Sequence, residues 1–281
     1  GIDAINSFSS VVGWFAENTE SLSNYTIVDR MPSAFNTAYN LTFNGLIASS
    51  TNFLSWAQQV APMFLAGFYP FLDGYIITPL LPLNASDEIE TGALTPVESF
   101  DDTETGEDTI TNAIISGSYS KTYMESDKRR PFQAVVSWRG QDEYGMETTR
   151  TTRVRYSDYA ENVGEESFDM TAFATNADHA TIFAKYVLAT RRYSTHTVSF
   201  QTPRNVTTPS FLGLYDVISI TLNRVNSEGD SQTETDFYLV TSLEFSQDGI
   251  ASIEAEHFPV NGSNASIISN SIVSGSFTVE T

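Results

Sequence analysis

The chain has 281 residues, no cysteine and a formal charge of -21 at pH 7. Disulfides, thiolate metal sites and cysteine nucleophiles are excluded, and so acidic a surface argues against general binding of nucleic acid or anionic membrane. The length is enough to bury a sizeable core without covalent staples, in two domains or in one elaborated β-rich domain.

Ile5, Phe8, Val11, Val12 and Phe15 are spaced for a short helix from Ile2 to Phe15, too short to hold unless packed on a neighbour. Tyr39, Leu41 and Phe43, followed by Leu46 and Ile47, predict a strand interrupted by a turn at Asn44-Gly45. Ser49 or Ser50 caps a second helix, 50–68, whose Phe53, Ala57, Val60, Ala61, Phe64, Leu65 and Phe68 form a broad apolar face. Pro62 lies inside that pattern and predicts a kink or an early stop near Gln59. Asp73-Gly74 turns the chain into a strand from Tyr75 to Leu81. The apolar run from Val60 to Leu83 is broken by four prolines and two glycines, so no stable membrane insertion is expected.

Asn84 to Asp108 is dense in Asp, Glu, Thr and Gly and reads as a mobile excursion or a boundary. Its acids, Asp101, Asp102, Glu104, Glu107 and Asp108, lack the spacing of a calcium loop. Strands resume with Thr111 to Tyr123, the buried run Pro131 to Arg139, and Thr149 to Tyr156, with a hairpin connection at Gln141 to Gly145. Phe168, Met170, Ala172 and Phe173 lead into the clearest helix, 176–192. The Thr175 hydroxyl is placed to cap it, and Ala180, Phe183, Ala184, Val187 and Leu188 draw its apolar stripe. After Tyr193 the period changes to two, with Val198 and Phe200 between Thr197, Ser199 and Gln201. Tyr215 to Val225, a turn at Asn226 to Asp230, Phe237 to Phe245, a turn at Asp248-Gly249 and Ile250 to Phe258 read as an antiparallel meander.

The fold class is therefore α+β and β-rich, with barrel-like antiparallel sheets and two main amphipathic helices (50–68 and 176–192). The expected organisation is an N-terminal helical segment (1–30), a strand-helix-strand unit (31–83), the acidic loop (84–109) and a β-rich domain (110–281). Asn112 to Tyr119 and Asn270 to Phe277 match in kind at every position, but nothing around them repeats, so they read as two β-prone segments sharing a Ser-Gly-Ser bend. The Asn-x-Ser/Thr sequons at Asn24, Asn40, Asn84, Asn205, Asn261 and Asn264 follow from the richness in Asn, Ser and Thr.

Charge is segregated: no Lys or Arg occurs from Met31 to Ser120 or after Arg224, and most basic residues lie between Lys121 and Arg192. Lys128-Arg129-Arg130 is a basic run, Arg153 and Arg155 share one face of a strand, and Lys185, Arg191 and Arg192 lie on a helix and its last turn. Such a face could bind phosphate, but salt bridges to an acidic neighbour suit an acidic oligomer better.

The strings NLTFNGLI, FLDGYIITPLLP, ITNAIISGSYSKTY, FQAVVSWRGQ, TNADHATIFAKYVLATRRYSTHTVSFQTP, LGLYDVISI and IASIEAEHFPV, in this order, resemble the hub region of bacteriophage tail tip proteins. These are similar to the lambda-like tip attachment protein and to the baseplate hubs of contractile tails, and the resemblance spans Met31 to Val260. It implies a structural homotrimer at the tail tip of the virion, closing the distal tail tube. Its implied partners are the distal tail or tube protein, the tape measure and a fiber or spike, with DNA in transient passage. Lys128, Arg129, Arg130, Arg153, Arg155, Lys185, Arg191 and Arg192 become candidate contacts between copies. Where the family often has a Gly-Asp turn before the barrel strand, this chain has Tyr215-Asp216, which leaves the conformation of that turn open.

Phage tips often carry cell-wall hydrolases, and a receptor- or carbohydrate-binding module is a third alternative. His179, His196 and His257 are the only histidines, and no metal-binding spacing, GxSxG, P-loop or dinucleotide fingerprint is present. His179 reads as a polar surface residue early on a helix, and His257, after Glu254 and Glu256, as part of a solvent-facing alternation. The adjacent pairs Glu165-Glu166 and Asp142-Glu143 do not give the separation that glycoside hydrolysis requires. The expectation is a protein without catalysis, cofactor or metal.

Overall fold

The structure, a computed structural model, describes residues 7–18, 26–45, 52–71, 74–102, 113–203, 212–225, 231–246 and 248–281. In chain order these residues form α1 (Phe8–Asn18), β1 (Thr26–Asp29), α2 (Ser33–Ala38), α3 (Phe53–Val60), β2 (Ala66–Phe71), β3 (Gly74–Pro79), β4 (Glu98–Asp101) and β5 (Ser120–Tyr123). They continue with β6 (Phe132–Gln141), β7 (Glu147–Tyr156), β8 (Gly164–Asp169), α4 (Ala177–Tyr193), β9 (His196–Pro203), β10 (Val217–Val225), β11 (Ser231–Phe245), β12 (Ile250–His257), α5 (Ile267–Ser274) and β13 (Phe277–Glu280). The fold is mixed α+β and strand-rich, with three sheets. The expected cap at Ser49 or Ser50, residue Asp73 of the turn before β3, the acids 103–108 and the turn 226–230 lie outside the described residues.

The chain forms two compact units, each discontinuous in sequence: residues 1–89, 131–190 and 271–281, and residues 90–130 and 191–270. The first holds a three-stranded sheet, β1-β3-β2, and a four-stranded sheet, β13-β7-β6-β8. In the larger sheet β6 pairs antiparallel with β7 and parallel with β8, while β13 lies antiparallel on β7. β6 is buried continuously from Phe132 to Val136, and β7 alternates, burying Thr152, Val154 and Tyr156. Aromatic rings fill this unit around Phe64, which lies 5.5 Å from Phe8, 6.0 Å from Phe43 and 5.1 Å from Phe173.

α3 ends at Val60, one residue past the predicted stop, because Pro62 brings no amide hydrogen to the ladder. Residues Ala61–Phe64 tighten into a 3-10 turn, and Leu65 takes the left-handed conformation (φ 53°) with its N–H on Pro62 O. The apolar run expected to continue the helix to residue 68 thus changes to strand β2. Residues 39–43 form no strand: Tyr39 is the C-cap of α2, and Leu41 and Phe43 are buried without a ladder partner. Asn84 Oδ1 accepts the N–H groups of Ser86 (2.8 Å) and Glu88 (3.1 Å), so the start of the acidic stretch is an ordered turn.

The second unit is one six-stranded sheet in the order β4-β10-β11-β12-β9-β5. β10, β11 and β12 form the predicted antiparallel meander, with a bulge between Val240 and Ser242. One face of every strand from β4 to β9 feeds a single core of Phe100, Val198, Phe200, Ile218, Ile220, Tyr238, Val240, Ile253 and neighbours. The sheet is not a closed barrel. Ala113 bridges Asp101 next to β4, and Ile115 N–H donates to Gln201 O at 2.8 Å, so single hydrogen bonds take the place of a continuous ladder there.

Candidate functional site

The basic residues singled out from the sequence are divided between the two units. Lys128, Arg129 and Arg130 are exposed on and just after a 3-10 turn, Ser126–Arg129, that follows β5. Arg129 Nη2 donates to Arg192 O at 3.3 Å, which brings this run to the end of α4 where Arg191 and Arg192 lie. Arg130 pairs with Asp127 at 2.7 Å, and the Arg192 guanidinium lies 5.5 Å from the Tyr193 ring. In the other unit Arg153 lies 3.7 Å from Glu165, and Arg155 Nη1 donates to Tyr159 O at 3.2 Å. Lys185 is half-buried over the ring of Phe277 at 5.3 Å, and burial lowers its pKa. Phe277 stands opposite Tyr156, which is buried, so Lys185 serves the packed face of the sheet while Arg153 and Arg155 alternate to the other face.

Sequence reasoning missed a part-buried polar cluster at one end of the six-stranded sheet, in which His196 and Tyr238 are the buried members. His196 and His257 stack with ring centroids 4.3 Å apart, and both Nδ1 atoms converge on Thr195 Oγ1, at 2.7 and 2.9 Å. His196 Nε2 lies 3.2 Å from Tyr238 OH, which donates to Asp236 Oδ2 at 3.4 Å. Lys121 Nζ, from the edge strand β5, reaches the same carboxylate at 3.6 Å. A hydroxyl has one proton, and that fixes the direction of the chain. With the phenol donating to Asp236, His196 Nε2–H donates to the phenol and His196 Nδ1 accepts from Thr195. The threonine oxygen then accepts from His257 Nδ1–H.

This direction leaves both imidazoles neutral, with His196 bonded at both ring nitrogens. Burial, then the neighbouring His257 and Lys121, push the His196 pKa down to about 4, and burial lowers that of His257. Burial pushes Tyr238 up. His257 is thus not on a solvent-facing alternation. It shares parity with Ile253 and Ala255, both buried, and that parity was readable in the sequence. The cluster ties β9, β11 and β12 together and anchors the edge strand through Lys121.

His179 differs from expectation for a related reason. It is 0% exposed, wedged 4.7 Å from the Phe64 ring, and its Nε2 donates to Met63 O at 2.8 Å. Nδ1 has no partner, and burial takes the pKa down to about 4. The residue fastens the first turn of α4 to the 3-10 turn after α3. The cap of α4 is Asn176, whose Oδ1 accepts His179 N–H at 2.7 Å, while Thr175 Oγ1 accepts from Asn44 Nδ2 at 2.8 Å. Among the described residues no group of three or more acidic or histidine side chains is placed to hold a metal, and no helix is long and apolar enough to cross a membrane. A cleft of about 340 Å³ opens beside Tyr119, Leu222, Arg224 and Asp102 in the second unit.

The turn before β10 bears directly on the family resemblance. Tyr215 has φ 68°, a left-handed conformation that glycine adopts freely, at the position where the tip proteins often carry glycine. Asp216 Oδ2 accepts Gly213 N–H at 2.8 Å, and Tyr215 N–H donates to Val240 O at 2.7 Å.

No family profile matches the sequence, and no curated protein does. Among solved structures, a tail protein from Neisseria meningitidis is similar over 89% of this chain and 67% of its own, with TM-score 0.51 and 9% identity. The 43 kDa tail protein of prophage MuSo2 from Shewanella oneidensis is similar over 87% of this chain and 65% of its own, with TM-score 0.47 and 10% identity. A chain of the virion of the native gene transfer agent particle is similar over 74% of this chain and 40% of its own, with TM-score 0.41 and 14% identity. The chain spans less than two thirds of the length of these last two, and at such scores they add nothing to the fold assignment. The class defined is a mixed α+β fold shared with the Neisseria tail protein.

Proposed function

We propose that the chain is a structural component of a bacteriophage-type tail, an oligomeric hub at the tail tip. It closes the distal end of the tube and joins it to a fiber or spike, with a lumen for genome passage. The observation that carries this reading is the fold shared with a tail protein across 89% of the chain. The strand-rich second unit and the left-handed conformation of Tyr215 agree with the resemblance in the sequence. A trimeric ring closed by heterologous contacts suits the segregated charge, since each copy offers different surfaces to its two neighbours. In such a ring Lys128, Arg129, Arg130, Arg191 and Arg192 face an acidic neighbour, and Arg153, Arg155 and Lys185 are further contacts. The basic-free segments line the lumen, where like charge keeps DNA from adhering.

The test is the mass of the purified chain by light scattering, together with its location in an intact particle. Arg191→Glu combined with Arg192→Glu is expected to weaken assembly at least about tenfold while leaving the circular dichroism spectrum unchanged. A monomer on the outer surface of the tail would overturn the hub. Reproducible clearing of peptidoglycan by the purified protein would replace it with a cell-wall hydrolase.

A further inference from the structure

The hairpin of β6 and β7 carries a feature that the fold does not use. Its inner half is packed, with Phe132 to Val136 and Thr152, Val154 and Tyr156 buried, but no residue from Ser137 to Thr151 is buried. At its tip Tyr144 is 81% exposed and Met146 66% exposed. The tip is nonetheless fixed. Asp142 Oδ1 accepts the N–H groups of Tyr144 at 2.9 Å and Met146 at 2.8 Å, and Asp142 N–H donates to Met146 O at 2.8 Å. Gly145, at φ 75°, supplies the left-handed residue that the turn requires. The stem arginines are engaged along the hairpin, Arg139 with Glu147 at 3.4 Å and Arg150 on Gln141 O at 2.8 Å. An aromatic ring and a thioether are therefore held in water by a rigid turn. Large amphipathic side chains presented at low entropic cost have the properties of a binding anchor.

Charge selects the occupant. Asp142, Glu143 and Glu147 flank the two apolar side chains in the sequence, and Arg139 and Arg150 lie further down the stem, so the tip itself is acidic and disfavours anionic lipid and nucleic acid. The chain has a surface of opposite sign in its other unit: the exposed run Lys128, Arg129 and Arg130 beside Arg192, with Tyr123 69% exposed on the adjoining edge strand. We propose that the β6–β7 tip of one copy seats on the Lys128–Arg130 turn of the next. Tyr144 lies against a guanidinium, and Glu143 pairs with the basic run. This contact rests on the ring reading above and names its heterologous interface: the acidic, aromatic tip is the neighbour that the basic turn meets.

The absence of cysteine makes the test clean. Glu143→Cys and Lys128→Cys in the same full-length chain, mildly oxidised at assembling concentration, should give a ladder of covalent multimers that neither single variant gives. Tyr144→Ser with Met146→Ser should raise the dissociation constant of the assembly at least about tenfold, with an unchanged melting temperature at dilutions where the wild type is monomeric, because both side chains are exposed in the single copy. A wild-type chain that stays monomeric at all concentrations overturns the ring and this contact with it. A wild-type oligomer whose dissociation is unaffected by the tip substitutions, and which gives no ladder, overturns this contact and leaves the ring standing. Binding of the wild type to phosphatidylcholine vesicles, lost with the tip substitutions, would assign the tip to a membrane instead.

Discussion

Replacing His179 by Gln separates the hydrogen bond of a buried imidazole from its titration. The amide of Gln can still donate to Met63 O, the partner His179 holds at 2.8 Å, but it takes up no proton near pH 5. The folded His179 has a pKa of about 4 against 6.5 when unfolded, because burial disfavours the charged ring. Between those values the unfolded state binds the proton first. The stability held above pH 6.5 is therefore lost as the pH falls toward 4. From about pH 7.5 to about pH 4.5 the loss through this one residue is on the order of 2–3 kcal/mol. His179→Gln should cost about 1–2 kcal/mol near neutrality, where an amide is buried with one partner. It should lose about 2–3 kcal/mol less than the wild type on acidification, and so become equal or more stable at about pH 4.5. Trp14, Trp56 and Trp138 all belong to the same compact unit as His179, so urea unfolding followed by tryptophan fluorescence reads the relevant transition. Parallel acid losses in the two proteins would refute the reasoning, since they would mean that the imidazole is already solvated in the folded state.

Thr195→Val breaks the chain of donors between the stacked histidines and should destabilise the second unit by about 1–3 kcal/mol, whereas Thr195→Ser, which keeps the hydroxyl, should cost less than about 1 kcal/mol. Thermal melting at neutral pH measures both, and equal costs would show that the hydroxyl bond contributes nothing. At Tyr215 the informative comparison is between two truncations. Tyr215→Gly and Tyr215→Ala lose the same ring, but only alanine retains the cost of φ 68°, so the glycine variant should be more stable by about 1 kcal/mol in urea titration.

The parts of the fold that were legible are those where burial of one face imposes a period. α4 was read to within a residue at each end because its stripe is uninterrupted, and β6, β7, β9, β10 and β12 followed from continuous or alternating apolar runs. β8 was missed because Gly164 to Asp169 is an edge strand whose side chains are mostly exposed, so no alternation marks it. α5 was missed for the opposite reason. Ile267–Ser274 is rich in β-branched residues, and its helical state is set by the Ser266 hydroxyl accepting Ser269 N–H at 3.0 Å and by the turn at Gly275. That also separates it from the matching run at residues 112–119, where Ser116-Gly117 is a turn and Gly117 has φ 79°.

The candidate site was less legible than the fold because its residues are polar on a face that the rest of each strand makes apolar. Binary patterning assigns such positions to solvent, and His257 was assigned there. Parity assigns them to the core, and parity is the stronger physical constraint, because a strand cannot turn one residue over without a bulge. Reaching the core costs a polar group about 1–3 kcal/mol unless it finds a partner. His196, His257, Thr195, Tyr238 and Asp236 meet that cost by bonding to one another, while His179 meets half of it at Met63 O and leaves Nδ1 unpaired. None of the five in the cluster can be moved alone without orphaning the next. The end of the sheet is therefore held by a run of hydrogen bonds from His257 to Asp236, and β5, which leads into the basic turn, is tied to it through Lys121.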